Sequence, residues 1–286
     1  MKEVSYERVR SMNFKTEKIY IALIVILILV LSSGILFVNK NRVLTTKVEE
    51  NTQSSQEAEN EQEKIAKEME LDQQNRAIQQ KNEELQKLQN IKNDPLMILI
   101  NRNNSVDSEF VPENLVLSEF NFVSGSDNRS LLQVTADAAK KMFEAAYEEG
   151  IILLGVSGYR SYYVQESLYY YRVYNEGQAE ADRYTAKPGQ SEHQVGLALD
   201  ILSEDYQSLD INFDNTEAYR WLKDNCYKYG FILRYPLGKE EITGFSYEPW
   251  HYRYIGNSDI AKEIMDKNIT FEEYIEELNS KIELLS

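Results

Sequence analysis

SEHQVGLALD, residues 191–200, is a polar loop that runs through a glycine into an apolar strand. Strand alternation places the side chain of Asp200 on the face opposite those of Leu199 and Ile201. A carboxylate in an apolar strand needs a partner, because an unpaired buried charge is very costly. A metal ion and an arginine are both suitable partners. The stretch therefore predicts a strand whose acidic residue is held by a cation.

The chain contains 2 histidines, and both stand near carboxylates in apolar surroundings. A lone histidine is more often structural than a ligand, but two histidines and one aspartate form a set suited to catalytic zinc, which keeps a fourth position open for water. Gly196 can turn the chain so that His193 and Asp200 converge. Glu248 lies three residues before His251 and can stand beside the metal without binding it. Zinc would lower the pKa of bound water from 15.7 toward about 7, and Glu248 would then take the proton and pass it to the leaving amine.

A glycine-containing turn, VSGYRS at residues 156–161, leads from a predicted strand into a predicted helix. Ser161 is expected to cap that helix. Arg160 can bind a carboxylate through two parallel hydrogen bonds, or stabilise a developing oxyanion. An arginine at the surface would need no such role, so the local pattern leaves both interpretations open.

The hydrophobic periodicity around these motifs predicts helices and short strands in irregular order. The expected helices are 135–149, 162–176, 216–229, 260–267 and 271–284, and the expected strands are 151–156, 197–202, 231–235 and 250–255. This order is typical of an α+β domain with a mostly antiparallel sheet flanked by helices. The single cysteine, Cys226, cannot form an internal disulfide, and we expect it to be a small core residue.

Residues 19–38 contain no charged side chain and, at about 1.5 Å per residue, are long enough to cross the roughly 30 Å hydrocarbon core of a bilayer. A buried core helix seldom stays apolar on every face for this length. A cleaved signal peptide has a shorter apolar region and a small-residue cleavage site. We therefore predict one transmembrane helix at 19–38. Basic residues are more numerous before this segment than after it, which places the N-terminus in the cytoplasm and the rest of the chain outside the cell membrane.

Residues 44–92 contain no glycine, proline or aromatic residue and are rich in Glu, Gln, Lys and Asn. Leu71, Ile78 and Leu85 repeat every seven residues, which is one line of a heptad pattern without its partner line. We predict a solvated helical or partly disordered stalk that gives reach to the domain that follows. The predicted organisation is a cytoplasmic tail at 1–18, a membrane anchor at 19–38, a charged stalk at 39–93 and a globular domain at 94–286.

The charge balance limits the classes of partner. The chain has 31 Lys and Arg residues against 47 Asp and Glu residues, which gives a formal net charge of -16. Nucleic-acid binding needs clustered basic side chains that neutralise phosphates, so we expect no nucleic-acid partner. Docking on anionic lipid through a basic patch is disfavoured for the same reason.

Four motifs together resemble the VanY-type zinc D-alanyl-D-alanine carboxypeptidases, a family that also includes the LdcB-type L,D-carboxypeptidases. The motifs are SGYRS at 157–161, PGQSEHQVGLALD at 188–200, YGFILRYP at 229–236 and EPWHYRY at 248–254. They keep the order of the family and show no departure at the catalytic positions. The resemblance covers roughly residues 95–275.

This resemblance implies a zinc peptidase of the Hedgehog/D-Ala-D-Ala peptidase fold that removes D-alanine from peptidoglycan stem peptides. It implies that His193, Asp200 and His251 bind zinc. Glu248 would be the general base, and Arg160 would bind substrate and stabilise the tetrahedral intermediate. Weaker candidates for lining the substrate groove are Gln165, Ser191 and Trp250.

The predicted topology agrees with such a substrate, because peptidoglycan lies outside the cytoplasmic membrane. Residues 94–286 are therefore predicted to be an extracellular zinc carboxypeptidase domain. The sequence leaves open whether the enzyme trims pentapeptides as a D,D-carboxypeptidase or tetrapeptides as an L,D-carboxypeptidase. A non-catalytic scaffold that binds the cell wall is a further alternative, against which the complete ligand set and Glu248 argue.

Overall fold

A computed structural model describes residues 48–286, with side chains described from residue 61 onward. The predicted cytoplasmic tail at 1–18, the predicted anchor at 19–38 and the start of the predicted stalk lie outside the described residues. Among residues 48–286, no helix combines the length and the apolar character that crossing a membrane requires. The chain divides into two units, 1–74 and 75–286. The sheets, the hydrophobic clusters and the candidate site described below belong to the second.

Helices and short strands follow one another irregularly in the described part of the chain. Its α-helices are α1 (Val48–Lys92), α2 (Gln133–Glu148), α3 (Tyr162–Glu176), α4 (Gln178–Tyr184), α5 (Glu217–Asn225), α6 (Glu240–Thr243), α7 (Ser258–Lys267) and α8 (Phe271–Leu285). Its strands are β1 (Leu115–Leu117), β2 (Ser130–Leu132), β3 (Leu153–Ser157), β4 (Ala198–Ser203), β5 (Phe231–Leu233) and β6 (His251–Tyr254). Its 3-10 helices are Pro95–Met97, Glu192–Val195, Ile211–Asn215 and Cys226–Tyr229.

Strands β3, β4, β6 and β5 form, in that order, a sheet in which every neighbouring pair is antiparallel. Strands β1 and β2 form a separate antiparallel pair. The prediction of an α+β domain with a mostly antiparallel sheet flanked by helices is confirmed. In the main sheet, Asp200 pairs with Ser157 on one side and with His251 on the other. The acidic residue therefore lies on an interior strand.

Strand β4 is buried along its whole length. Leu199 and Ile201 lie in the main hydrophobic core together with Trp221 and Leu222 of α5. Cys226 belongs to the same core and is fully buried, as predicted for a small structural residue. Apolar packing around the strand supplies the dry surroundings in which a charged side chain must find a partner.

Residues of β5, α7 and α8 form a second core cluster, in which Ile232, Ile264 and Phe271 are buried. Thr270 begins α8 with a capping box. Its hydroxyl accepts from the backbone N–H of Glu273, and the Glu273 carboxylate accepts from the backbone N–H of Thr270. The cap and the apolar contacts together fix α8 against the rest of the second unit.

Most predicted elements are present with shifted ends. Predicted helix 162–176 coincides with α3, whereas predicted helix 216–229 becomes α5 followed by the 3-10 helix Cys226–Tyr229. The helical alternative for the stalk holds for residues 48–92, which form α1, and Leu88 of this helix is buried. The sequence pattern does not predict the β1–β2 pair or α4, because strands of three residues and a helix of seven carry little periodicity.

Candidate metal centre

His193 lies in the 3-10 helix Glu192–Val195, which leads into β4. Gly196 ends this helix with a φ of 68°, a left-handed conformation that glycine adopts without strain. A Cβ at this position would also lie 3.1 Å from a side-chain atom of Leu115 and from the backbone nitrogen of Leu132. The predicted turn at Gly196 is confirmed, and it brings His193 back to the start of β4.

Asp200 and His251 are paired residues of β4 and β6. Oδ1 of Asp200 lies 3.1 Å from Nδ1 of His251, and Oδ2 of Asp200 lies 3.4 Å from Nε2 of His193. One ligand atom from each of the three residues lies within 4.8 Å of the others, and all three residues are buried. The two imidazole rings are nearly perpendicular, with centroids 5.0 Å apart. The structure thus brings together the three side chains that the sequence predicts as metal ligands.

The hydrogen bonds around these three residues suit a cation. Nδ1 of His193 lies 2.7 Å from the carbonyl oxygen of Gly158. Because a carbonyl only accepts, Nδ1 carries the hydrogen and Nε2 presents its lone pair toward Asp200. Oδ1 of Asp200 is buried and accepts no hydrogen bond from the described residues. A metal ion would satisfy this carboxylate oxygen, whose burial is otherwise unfavourable.

Burial and neighbouring charges together shift the pKa values of the three residues. Burial lowers the pKa of His193, which favours the neutral imidazole that ligates metals. Burial would raise the pKa of Asp200, but the two histidines outweigh it and hold this pKa below its usual range. Burial also opposes a charge on His251, yet the carboxylates of Asp200 and Glu192 raise its pKa to about 9. Metal binding at His251 would therefore release a proton.

Glu248 lies beside the three residues without joining them. Its Oε2 is 3.7 Å from Nδ1 of His251, and the side chain is buried. Burial raises the pKa of the Glu248 carboxyl to about 7. A carboxyl with such a pKa can both accept and return a proton near neutral pH. This position is the one expected of a general base next to a metal ion.

Arg160 stands where β3 passes into α3. Its backbone N–H donates to the carbonyl oxygen of His193 at 3.1 Å, and Ser161 caps α3 as predicted. Burial lowers the pKa of Arg160, and the negative charges of Asp200 and Glu248 offset part of that shift. Nε of Arg160 is buried and has no hydrogen-bond partner within the described part of the chain. The guanidinium therefore has a donor available for a bound carboxylate or oxyanion.

A cavity of about 570 Å³ opens in front of these residues, within the range of small-molecule sites. Its wall includes Arg160 and Glu248. The three residues predicted to contact substrate also line it: Gln165, Ser191 and Trp250. The amide nitrogen of Gln165 donates to the carbonyl oxygen of Ala186 at 2.6 Å, whereas its Oε1 is buried and finds no partner in the described region. Gln165 thus has a fixed orientation and one acceptor to spare.

A buried ion cluster on the other side of His251 was missed by sequence reasoning. Oε1 of Glu192 accepts from Nε of Arg234 and from Nη1 of Arg253, each at 2.8 Å, and all three residues are buried. Oε2 of Glu192 lies 3.6 Å from Nε2 of His251. Burial would raise the pKa of Glu192, but the two arginines outweigh it and hold this pKa well below its usual range. Arginines inside the apolar strand motifs were the available signal, because a buried arginine needs a counter-charge.

Comparisons with known proteins show which proteins this chain is similar to. Residues 128–257 match the family model for VanY, D-alanyl-D-alanine carboxypeptidase. The Bacillus subtilis (strain 168) protein YodJ is 42% identical over 198 residues, which are 68% of this chain and 71% of YodJ. A similar solved structure is that of the LdcB LD-carboxypeptidase, which reveals the molecular basis of peptidoglycan recognition. It has a TM-score of 0.60 and is 42% identical to this chain, and the match covers 63% of this chain and 86% of the LdcB chain. Another similar structure is a variant of the vancomycin-resistance D,D-pentapeptidase VanY in complex with Zn(II). It has a TM-score of 0.53 and is 35% identical to this chain, and the match covers 63% of this chain and 98% of the VanY chain.

Proposed function

Because the chain belongs to the VanY/LdcB-type family of zinc carboxypeptidases, we propose that it removes the C-terminal D-alanine from peptidoglycan stem peptides. One observation carries the proposal: His193, Asp200 and His251 offer ligand atoms within 4.8 Å of one another. Glu248 lies beside them, and a cavity of about 570 Å³ opens onto them. These are the parts that metal-assisted peptide hydrolysis requires.

Zinc is the metal that this ligand set fits, because two imidazoles and one carboxylate leave a fourth position open for catalysis, and the similar VanY structure is a Zn(II) complex. When bound, zinc lowers the pKa of water and polarises a peptide carbonyl. Glu248, which lies beside the ligand set, accepts a proton from the attacking water at its carboxylate. It then returns that proton to the nitrogen of the departing D-alanine. The peptide C–N bond breaks, and the C–O bond formed by the attacking water remains in the shortened peptide.

Arg160 provides positive charge in the same cavity. Its unpartnered Nε can donate to the terminal carboxylate of the substrate or to the oxyanion that forms at the attacked carbonyl. Gln165 and Ser191 line the cavity next to the metal ligands, and we assign them to the departing residue. Trp250 adds an apolar wall to the same cavity.

A second candidate is L,D-carboxypeptidase activity on tetrapeptide stems. The LdcB structure is more similar to this chain than the VanY structure, with 42% against 35% identity and a TM-score of 0.60 against 0.53. Both activities release one D-alanine and use the same metal ligands and the same proton acceptor. The difference lies in how the cavity receives the residue that precedes the scissile bond.

The test uses the full-length protein, purified in detergent and loaded with zinc, together with synthetic pentapeptide and tetrapeptide stems. We expect mass spectrometry to show the loss of one alanine from at least one stem, and no loss after zinc is removed by a chelator. Glu248→Gln should still bind zinc but lower the rate by about 10²–10⁴-fold. Glu241→Gln, at an exposed carboxylate seven residues earlier, is the matched control and should leave the rate unchanged.

If the zinc-loaded protein releases alanine from neither stem, the carboxypeptidase proposal is rejected, and a non-catalytic scaffold that binds the cell wall becomes the better description. If Glu248→Gln cleaves as fast as the unaltered protein, the assignment of the proton acceptor is wrong even though the activity is present.

We further propose that residues 19–38 anchor the protein in the cell membrane, with the N-terminus in the cytoplasm and residues 94–286 outside. The charge-free length of the segment and its basic N-terminal flank support this arrangement. Protease added to intact spheroplasts should degrade a C-terminal epitope tag and spare an N-terminal one. The reverse pattern, or protection of both tags, would reject the proposed topology.

A further inference from the structure

The imidazole of His251 lies between two carboxylates. Its Nδ1 faces Asp200 at 3.1 Å, whereas its Nε2 faces Oε2 of Glu192 at 3.6 Å. Nε2 of His251 and Oε2 of Glu192 are both buried, and neither has a hydrogen-bond partner among residues 61–286. The two atoms face each other just beyond hydrogen-bond distance, and neither hydrogen-bonds to another described group.

The other oxygen of Glu192 is firmly held. Oε1 accepts from Arg234 and from Arg253, each at 2.8 Å, and none of the three side chains has measurable solvent exposure. With Oε1 fixed by two guanidinium groups, the carboxylate plane can turn little, and Oε2 stays directed at His251.

The two arginines are in turn fixed by residues outside the segment 128–257 that matches the family model. Arg234 donates to both carboxylate oxygens of Glu272 on α8, at 2.8 and 2.6 Å. Arg253 donates through Nη2 to the carbonyl oxygens of Leu96 and Ile98, at 2.9 and 2.7 Å. The chain of contacts thus runs from the metal cluster to the segment after α1 and to the C-terminal helix.

We propose that Glu192 is a positioning residue of the metal centre, which holds the Nε2–H of His251 and so presents Nδ1 to the cation. Metal-bound histidines commonly donate their second N–H to a carboxylate, and loss of that partner typically weakens metal binding by about 10–100-fold. The inference rests on the proposed function, because it takes the metal site as given. The competing explanation is that Glu192 only compensates the charges of two buried arginines.

The deciding variant is Glu192→Gln in the full-length protein, which keeps the shape of the side chain and removes its charge. We expect the zinc dissociation constant, measured by competition with a chromogenic chelator, to rise by about 10–100-fold. The visible spectrum of the cobalt-substituted protein should also change, because it reports the geometry of the ligands. Urea unfolding of the metal-free variant gives the purely structural loss separately.

A folded Glu192→Gln protein with unchanged zinc affinity and an unchanged cobalt spectrum would overturn the inference, whatever its stability. If the unaltered protein binds no zinc, the proposed function fails instead, so the two failures are distinguishable.

If Glu192→Gln does not fold, Glu272→Gln decides the matter, because it loosens Arg234 while leaving Glu192 in place. Its matched control is Glu276→Gln, at an exposed carboxylate on the same helix. We expect zinc affinity to fall severalfold in Glu272→Gln and to stay unchanged in Glu276→Gln. Equal affinities in the two variants would overturn the inference.

Discussion

The two histidines of the metal cluster are held in different ways. Nδ1 of His193 donates to an uncharged backbone carbonyl, that of Gly158, at 2.7 Å. Nε2 of His251 instead faces the carboxylate of Glu192, whose other oxygen is bound by Arg234 and by a second arginine. Backbone geometry thus fixes one ligand, and a buried network of charges fixes the other.

This difference predicts different weaknesses. A backbone carbonyl cannot be removed by mutation, so the His193 side fails only when the chain itself is displaced. A buried ion network is stable only as a whole, because loss of one member leaves an uncompensated charge in a dry environment. Substitutions in the ion network around His251 should therefore lower the free energy of unfolding more than substitutions near His193. Near His193, the damaging change should be an added side-chain atom that displaces the backbone.

The largest effect is expected for Arg253→Met. Arg253 donates to Glu192, to the carbonyl oxygens of Leu96 and Ile98, and to its neighbouring carbonyl at Tyr254. Its removal leaves a buried carboxylate with one partner fewer and should lower the free energy of unfolding by about 3–5 kcal/mol. Urea denaturation of the metal-free protein measures the loss.

The matched control is Lys262→Met, at a surface pair with Asp266, which should unfold like the unaltered protein. If the Arg253 variant were as stable as this control, the ion network would contribute nothing to the fold, and the contrast between the two histidines would lose its energetic basis.

The same contrast explains what sequence reasoning found and what it missed. Gly158, Gly196 and Ser161 belong to turns whose residue types are recognisable within a few positions, and these turns place His193. The partners of Glu192 lie 42 and 61 residues away along the chain, and only the fold brings them together. Contacts between residues so far apart along the chain leave no pattern in the local sequence. The metal ligands themselves were predictable because the chain contains 2 histidines, each close to a carboxylate in an apolar setting.

The secondary structure is likewise predictable only where a local sequence pattern is long enough to recognise. Helices with a clear 3.6-residue spacing, such as α2, are predictable to within a residue or two, because one face must be buried. The β1–β2 pair has three residues in each strand and is stabilised by partners that are distant in sequence, so its pattern is too short to recognise. Likewise, no local signal marks the change from α5 to the 3-10 helix at Cys226.

An intermediate effect is expected for Gly158→Ala, on the His193 side. A Cβ at Gly158 would lie 2.4 Å from the backbone oxygen of Ser130, so the chain must move and take with it the carbonyl that holds His193. We expect the free energy of unfolding to fall by about 1–3 kcal/mol and zinc affinity to fall by about tenfold. Urea denaturation and chelator competition measure the two losses.

Gly155→Ala is the control for this substitution, because Gly155 lies on β3, three residues before Gly158, and its Cβ would meet the ring of Phe122 at 2.7 Å. It should lose stability without losing zinc affinity. Equal losses of zinc affinity in the two variants would mean that general strain in β3, and not the carbonyl of Gly158, weakens the site.

The smallest effects are expected at two helix caps, one on each side. Thr270 is buried and forms a reciprocal capping box with Glu273 at the start of α8, the helix that carries Glu272. Ser161 caps α3 through a single, longer hydrogen bond of 3.3 Å from Val164. Thr270→Ala should therefore lower the free energy of unfolding by about 1–2 kcal/mol, and Ser161→Ala by about 0.5–1 kcal/mol.

Thr270→Ser, which keeps the hydroxyl, should recover most of the loss in the same urea titration. If Ser161→Ala were the more damaging change, the His193 side would depend on its flanking helix more than on backbone geometry, and the proposed division between the two sides would have to be reversed.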